Sequence, residues 1–97
     1  MESLDQHAAD LLMAAEKYNL PKLKKMAEQS LCKTMKIDSV IWTAAFAHIH
    51  NGLSVVQAAT EMIVAEFGDV IEQPDWPEFV KNNPDLLINI HKKLAKK

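Results

Sequence analysis

The side chains able to bind a metal, attack a carbonyl or move a proton are few in this sequence, and their spacing is unhelpful. His48 and His50 stand two residues apart. On a helix that separation turns them about 200° from each other, onto opposite faces. They cannot clamp one metal ion, so His48 reads as a packed or hydrogen-bonded residue and His50 as a surface residue at a helix end. Cys32 is the only cysteine. Lysines nearby in sequence would lower its pKa, whereas a buried setting would leave an inert thiol, and the second is the expectation. Glu66, Asp69 and Glu72 share a helical face, yet no loop around them has calcium-binding form. They read as a solvated acidic face. Two glycines are too few and too far apart for a phosphate-cradling loop. The expectation is a chain with no catalytic, cofactor or metal residues, acting by binding.

Composition narrows what could be bound. Ninety-seven residues, 48% of them hydrophobic, make one domain with enough apolar side chains for a core. The formal charge is −2 and all eleven basic residues are lysine. Without arginine, bidentate recognition of phosphate or guanine has no candidate. A helix-turn-helix needs a basic second helix with base-reading side chains. The second helix offers three clustered lysines, no arginine and one amide, Gln29. Neither nucleic acid nor a membrane is therefore expected as a partner. Charge is nonetheless polarised. Lys17 to Lys36 carries six lysines against Glu28, and Glu61 to Asp85 carries seven acids against Lys81. That pattern suits either a solvated surface or the steering of a partner. A lone cysteine, an acidic start (MESLDQ) and no apolar run of about 18 residues point to an intracellular chain, nuclear and/or cytoplasmic.

Nothing reads as a strand, and the fold class expected is all-α: a compact bundle of about five or six helices. A first helix should run from about Ser3 to Tyr18, with Leu4, Ala8, Leu11, Ala15 and Tyr18 on one stripe. Asn19 and Pro21 then break and restart the chain, since proline is tolerated only in a first turn. The second helix would turn Leu20, Leu23, Ala27 and Leu31 inward. Asp38 should cap a third helix ending near Asn51-Gly52. Its apolar residues divide into two stripes, Ile41-Ala45-His48 and Trp42-Phe46-Ile49. Ser54 and Gln57 have capping-box spacing and open a fourth helix, with Val56, Ala59, Ile63 and Phe67 or Val70 inward. Pro74 and Pro77 bracket a corner at Asp75-Trp76. Asn83-Pro84-Asp85, a cap, a first-turn proline and a first-turn acid, starts a last helix that buries Leu87, Ile90 and Leu94. Both Gly52 and Gly68 fit positions just past a helix end. One core is expected, made by Leu11, Leu12, Leu23, Ile41, Phe46, Ile63, Leu87 and Ile90.

From Ala8 to Ala15 only Asp10 is polar, a pattern normal for a helix buried on several sides. This segment opens the stretch LLMAAEKYNLPKLKKMAEQSLC, which resembles the pattern LLxAAxxYxLxxLKxxCExxLC that closes BTB/POZ domains. Leu11, Leu12, Ala14, Ala15, Tyr18, Leu20, Leu23, Lys24, Glu28, Leu31 and Cys32 hold its positions, and Ala27 stands where cysteine is usual. The remainder resembles the three-box and shortened BACK region of the speckle-type POZ (MATH–BTB) family. Ala47, His50, Ala59, Ile63, Asp69, Val70, Glu72 and Trp76 fit without a gap, as does the helix start at Asn83-Pro84.

The resemblance implies that residues 1–35 are the C-terminal helices of a BTB/POZ domain and residues 36–97 a three-box/BACK-like region. It implies a fragment or a naturally truncated relative whose first helix has lost its sheet partner, with Leu12 and Met13 then open to self-association as a homodimer. It implies a substrate adaptor for a cullin-3 ubiquitin ligase, with the cullin-3 N-terminal region as partner. The three-box helix pair would lie at roughly 38–50 and 54–67. The residues expected to bind the partner are Trp42, Phe46, Ile49 and Leu53. Trp42 stands where relatives carry a polar or charged residue, and exposed tryptophan is a common interface anchor; a core position for it stays equally open, because Phe46 and Ile49 share its stripe. Ala65 stands where relatives carry an aromatic residue near a BACK dimer contact. A small helical scaffold of unrelated origin, or a helix-turn-helix protein, stays open as an alternative.

Overall fold

The computed structural model describes residues 7–96, and among them every regular element is helical. The helices are α1 (Ala8–Lys17), α2 (Pro21–Thr34), α3 (Val40–Ile49), α4 (Leu53–Ala65), α5 (Phe67–Val70), α6 (Trp76–Asn82) and α7 (Pro84–Ala95). The all-α reading stands. The expected helix start at Ser3 and the stripe position Leu4 lie outside the described residues.

The seven helices among the described residues exceed the five or six expected for two local reasons. The fourth helix breaks at Glu66, whose backbone leaves helical geometry (φ −117°, ψ 38°), and the chain restarts as α5. This turns Phe67 edge-on to Trp76, with ring centroids 5.8 Å apart. The corner at Asp75-Trp76 is itself the start of a helix, with Pro77 in its first turn.

Proline placement explains the other starts. Pro21 and Pro84 each open a helix in the first turn, where no amide hydrogen is needed. The helix ends obey a rule that the glycines only partly suggest. Asn19 and Asn51 adopt left-handed backbone, φ 54° and 61°. The following amides close back on the last turn, Leu20 N–H to Ala15 O and Gly52 N–H to Ala47 O, each at 2.8 Å. That is the Schellman closure with asparagine in the position glycine usually takes. Gly52 follows α3 as expected, but Gly68 sits inside α5.

Three capping expectations are corrected. Asp38 lies in a turn, and Ser39 precedes α3, its hydroxyl accepting from Lys36 N–H at 3.1 Å. Ser54 lies inside α4 rather than before it. Asn83 precedes α7, but its side-chain amide donates to Phe79 O, so it closes α6 instead of capping α7.

The helix α4 is the hub, packing against α2, α3, α5 and α7. The buried side chains form two clusters where one was expected. The larger holds Ile41, Ile63, Val70, Phe79, Leu87 and Ile90 among others. The smaller comprises Ala8, Leu12, Ala27, Leu31, Ala47 and Val55, joining α1 and α2 to the start of α4. Val56 packs against both. Of the core expected from sequence, Leu11, Leu23 and Phe46 are only half-buried. Tyr18 and Leu20 were expected inward and are exposed, Tyr18 by 63%. Both flank the Asn19 turn, where the chain leaves α1.

Candidate functional site

Partner recognition starts from α3, VIWTAAFAHI, whose residues are apolar on nearly every side. Its inward face is Val40, Ile41, Thr43, Ala44 and Ala47. Two of these are alanines, which let α3 lie close on α4. Of the stripe Ile41-Ala45-His48 read from the sequence, only Ile41 belongs to this face. Ala45 is half-buried and His48 exposed. His48 Nε2 lies 2.9 Å from Asp85 Oδ2 at the start of α7, so this histidine ties two helices together across the surface.

Trp42 and Ile49 face away from the core, whereas Phe46 packs partly against the smaller cluster. Trp42 is 54% exposed and Ile49 73%. Phe46, half-buried, stacks on Trp42 with ring centroids 4.9 Å apart and planes inclined by 13°. On its other side it meets His50 at 4.5 Å. The spacing 42, 46, 50 therefore makes a continuous aromatic ladder along one helix edge. Leu53, the first residue of α4, is exposed just beyond it. His50 also lines a cleft of about 510 Å³ with Met13, Ala14, Lys17 and Tyr18 of the α1 end. Surface apolar groups collected in this way mark interaction sites more often than singly scattered ones.

The two residues expected to self-associate part company. Met13 is exposed. Leu12 is fully buried, with its Cδ2 against Gly52, and offers no surface to a second molecule. Of the apolar residues of α1, Ala8, Leu12 and Ala15 are buried, Ala9, Leu11 and Ala14 half-buried and Met13 exposed. Sequence reasoning missed His50 as a ring partner. The signal was its four-residue spacing from Phe46.

Cys32 is half-buried on α2, its thiol pointing to Ser54 O at 3.9 Å. Burial pushes the thiol pKa up, and Glu28 one turn earlier adds to the rise. The neighbouring lysines do not reverse this. A raised pKa keeps the proton on the folded chain at a pH where the unfolded thiol has lost it. Stability should accordingly fall as pH rises through the ordinary thiol value of about 8.5. Iodoacetamide at mildly alkaline pH should modify folded Cys32 several-fold more slowly than the urea-unfolded chain. Faster labelling of the folded form would contradict the inert-thiol assignment. Among the described residues no group of three histidine, cysteine or carboxylate side chains is placed to hold a metal ion, and no helix is long and apolar enough to cross a membrane.

No protein-family model matches the chain. Individual relatives do. It is 34% identical over 87 residues to a BTB/POZ domain-containing protein of Arabidopsis thaliana, covering 90% of this chain and 36% of that protein. It is 31% identical over 80 residues to TD and POZ domain-containing protein 2 of Mus musculus, covering 82% of this chain and 22% of the relative. The mouse TD and POZ domain-containing protein 1 is 28% identical over 88 residues, 91% of this chain and 24% of its own length. The chain is thus homologous to BTB/POZ proteins, TD and POZ proteins included, over most of its length. It spans between 22% and 36% of the length of these curated relatives. The homology points to a protein-interaction role without catalysis.

Proposed function

We propose that this chain is a non-catalytic, partner-binding part of a substrate adaptor for a cullin-3 ubiquitin ligase. On this reading residues 1–35 supply the C-terminal helices of a BTB/POZ domain and residues 36–97 a three-box/BACK-like region, with α3 and α4 as the three-box pair. The contact with the cullin-3 N-terminal region is made by Trp42, Phe46, Ile49 and Leu53. The observation that carries it is the solvent-facing ladder on α3: Trp42 and Phe46 stacked, with Ile49 exposed on the same face. Aromatic anchors of this kind concentrate binding energy at interfaces. Titration calorimetry with the cullin-3 N-terminal region tests it. Binding at roughly micromolar strength or weaker is expected, about −8 kcal/mol or less in magnitude. No measurable heat at any attainable concentration would remove the reading.

A further inference from the structure

Helices α4 and α7 pack together and leave a groove along their shared flank. Its more polar end, about 440 Å³, is lined by Gln57 and Thr60 of α4 and by Asn89 and Lys92 of α7. Its more apolar end, about 360 Å³, lies over Val64 and Ala65, with Lys96 at the rim. Glu61 and Lys93 line both ends, so the two hollows form one groove, and Glu61 is its one acid. Residues 89, 92, 93 and 96 fall within about 100° of arc around α7. The helix dipole favours lysines near a last turn but chooses no side. Here all three line the groove. Lys92, Lys93 and Lys96 are exposed, and among the described residues none of them forms an ion pair. The side-chain amides of Gln57 and Asn89 are also without a hydrogen-bond partner there. Thr60 differs, its hydroxyl donating to Val56 O at 2.7 Å.

We propose that this groove binds a short acidic segment of another protein, in extended conformation and with the pattern acid–apolar–acid. Three lysines against one acid select an anionic occupant. The unengaged amides select its conformation. Each offers both donors and an acceptor, which suit the N–H and C=O groups of an extended chain, whereas a helix has already paired its own. The lysines set the spacing. Lys92 and Lys96 stand about 6 Å apart along the axis of α7, and alternate residues of an extended chain are about 6.6 Å apart. Alternate side chains point the same way. Two acids therefore reach the lysine wall while the residue between them turns to α4, onto Val64 and Ala65. Glu61 keeps acids away from the α4 wall and so fixes which edge of the segment faces which helix. The lysine stems cover the apolar residue. Without arginine or an aromatic ring in the groove, nucleic acid lacks its usual recognition groups. Exposed ion pairs contribute little and are screened by salt, which makes this binding weak and salt-sensitive. No residue of α3 takes part, and the inference stands or falls apart from the cullin-3 reading.

Fluorescence anisotropy tests this with the whole chain and a labelled peptide carrying glutamate–leucine–glutamate between glycine and serine flanks. Half-saturation is expected at about 0.1–1 mM protein in about 50 mM salt, weakening several-fold at about 300 mM. A peptide with glycine for leucine should bind several-fold more weakly, and one with lysine for both glutamates should not bind. Lys92→Gln/Lys96→Gln should weaken binding about tenfold, and Ala65→Glu, which puts an acid on the α4 wall, by a similar factor. Lys22→Gln/Lys25→Gln makes the same change of net charge on α2 and should leave binding unchanged. All five positions are exposed, circular dichroism checks each variant for folding, and either folded groove variant suffices. Four results would overturn the proposal: no binding by the wild-type chain, equal loss in the two lysine pairs, indifference to the leucine, or oligothymidylate bound as tightly as the peptide.

Discussion

Leu12→Ala should destabilise the chain by about 2–5 kcal/mol, toward the upper part of the range for a leucine lost from a core. The whole stability of a chain this size is about 5–15 kcal/mol. The reason for the large expectation is the composition of the cluster. Leu12 is buried completely among Ala8, Ala27, Leu31, Ala47 and Val55. Three of those five neighbours are alanines, which have no side chain long enough to move into the space, and the cost of such a substitution grows with the cavity left behind. Gly52 supplies an internal check. A Cβ added there would meet Leu12 Cδ2 at 3.2 Å and Ala47 Cβ at 3.5 Å. With leucine present, Gly52→Ala must displace that methyl group. With alanine at 12, the same Cβ enters emptied space. The double variant should therefore be less destabilised than the two single losses added together, a coupling expected only of side chains in contact. Urea unfolding of the four chains measures it. A loss below about 1 kcal/mol for Leu12→Ala, or strict additivity, would mean that α1 does not pack on the α3–α4 turn as described. Leu12→Glu belongs to the same argument: it should unfold the α1–α2 pair, since it places a carboxylate where no water reaches.

The helices were legible because their boundaries are written in local chemistry. Proline at 21 and 84 can stand only in a first turn, and the structure uses both there. The orientation of α3 was not legible. In VIWTAAFAHI nearly every position is apolar, so periodicity reports a helix and gives no phase. What sets the phase is tertiary: Ala44 and Ala47 allow close approach to α4, Trp42 and Ile49 are left outside, and Phe46 packs at the edge of the smaller cluster. The same blindness made two clusters look like one core. Nothing near Leu12 in sequence says that its neighbours will be Ala47 and Val55. The asparagine turns were half visible. Asn19 was read as a break, but that its left-handed backbone would leave Tyr18 exposed depends on how α1 meets α2. Trp42 and Phe46 were named from sequence, while the contact of Phe46 with His50 came from the helix geometry.

Trp42→Ala should weaken binding to the cullin-3 N-terminal region by about 30-fold, if the α3 ladder is the contact. Removing an interface tryptophan at a hot spot costs about 2 kcal/mol or more, and each 1.4 kcal/mol is tenfold in affinity. The structure also sets what the substitution does to the free chain. Trp42 faces away from the core, and its recorded ring partner is Phe46. Losing one stacked pair costs about 0.5–1.5 kcal/mol, small beside the loss expected from Leu12→Ala. Ile49, 73% exposed, should show a cleaner split: Ile49→Ala weakens binding with stability shifted by less than about 0.5 kcal/mol. Calorimetry for affinity and urea unfolding for stability, run on the same preparations, keep the two effects apart. Affinity lost in proportion to stability would make Trp42 a structural residue. Affinity unchanged in both variants, with wild-type binding intact, would move the contact off α3, leaving the cleft at the α1 end, lined by Met13, Tyr18 and His50, as the next surface to alter.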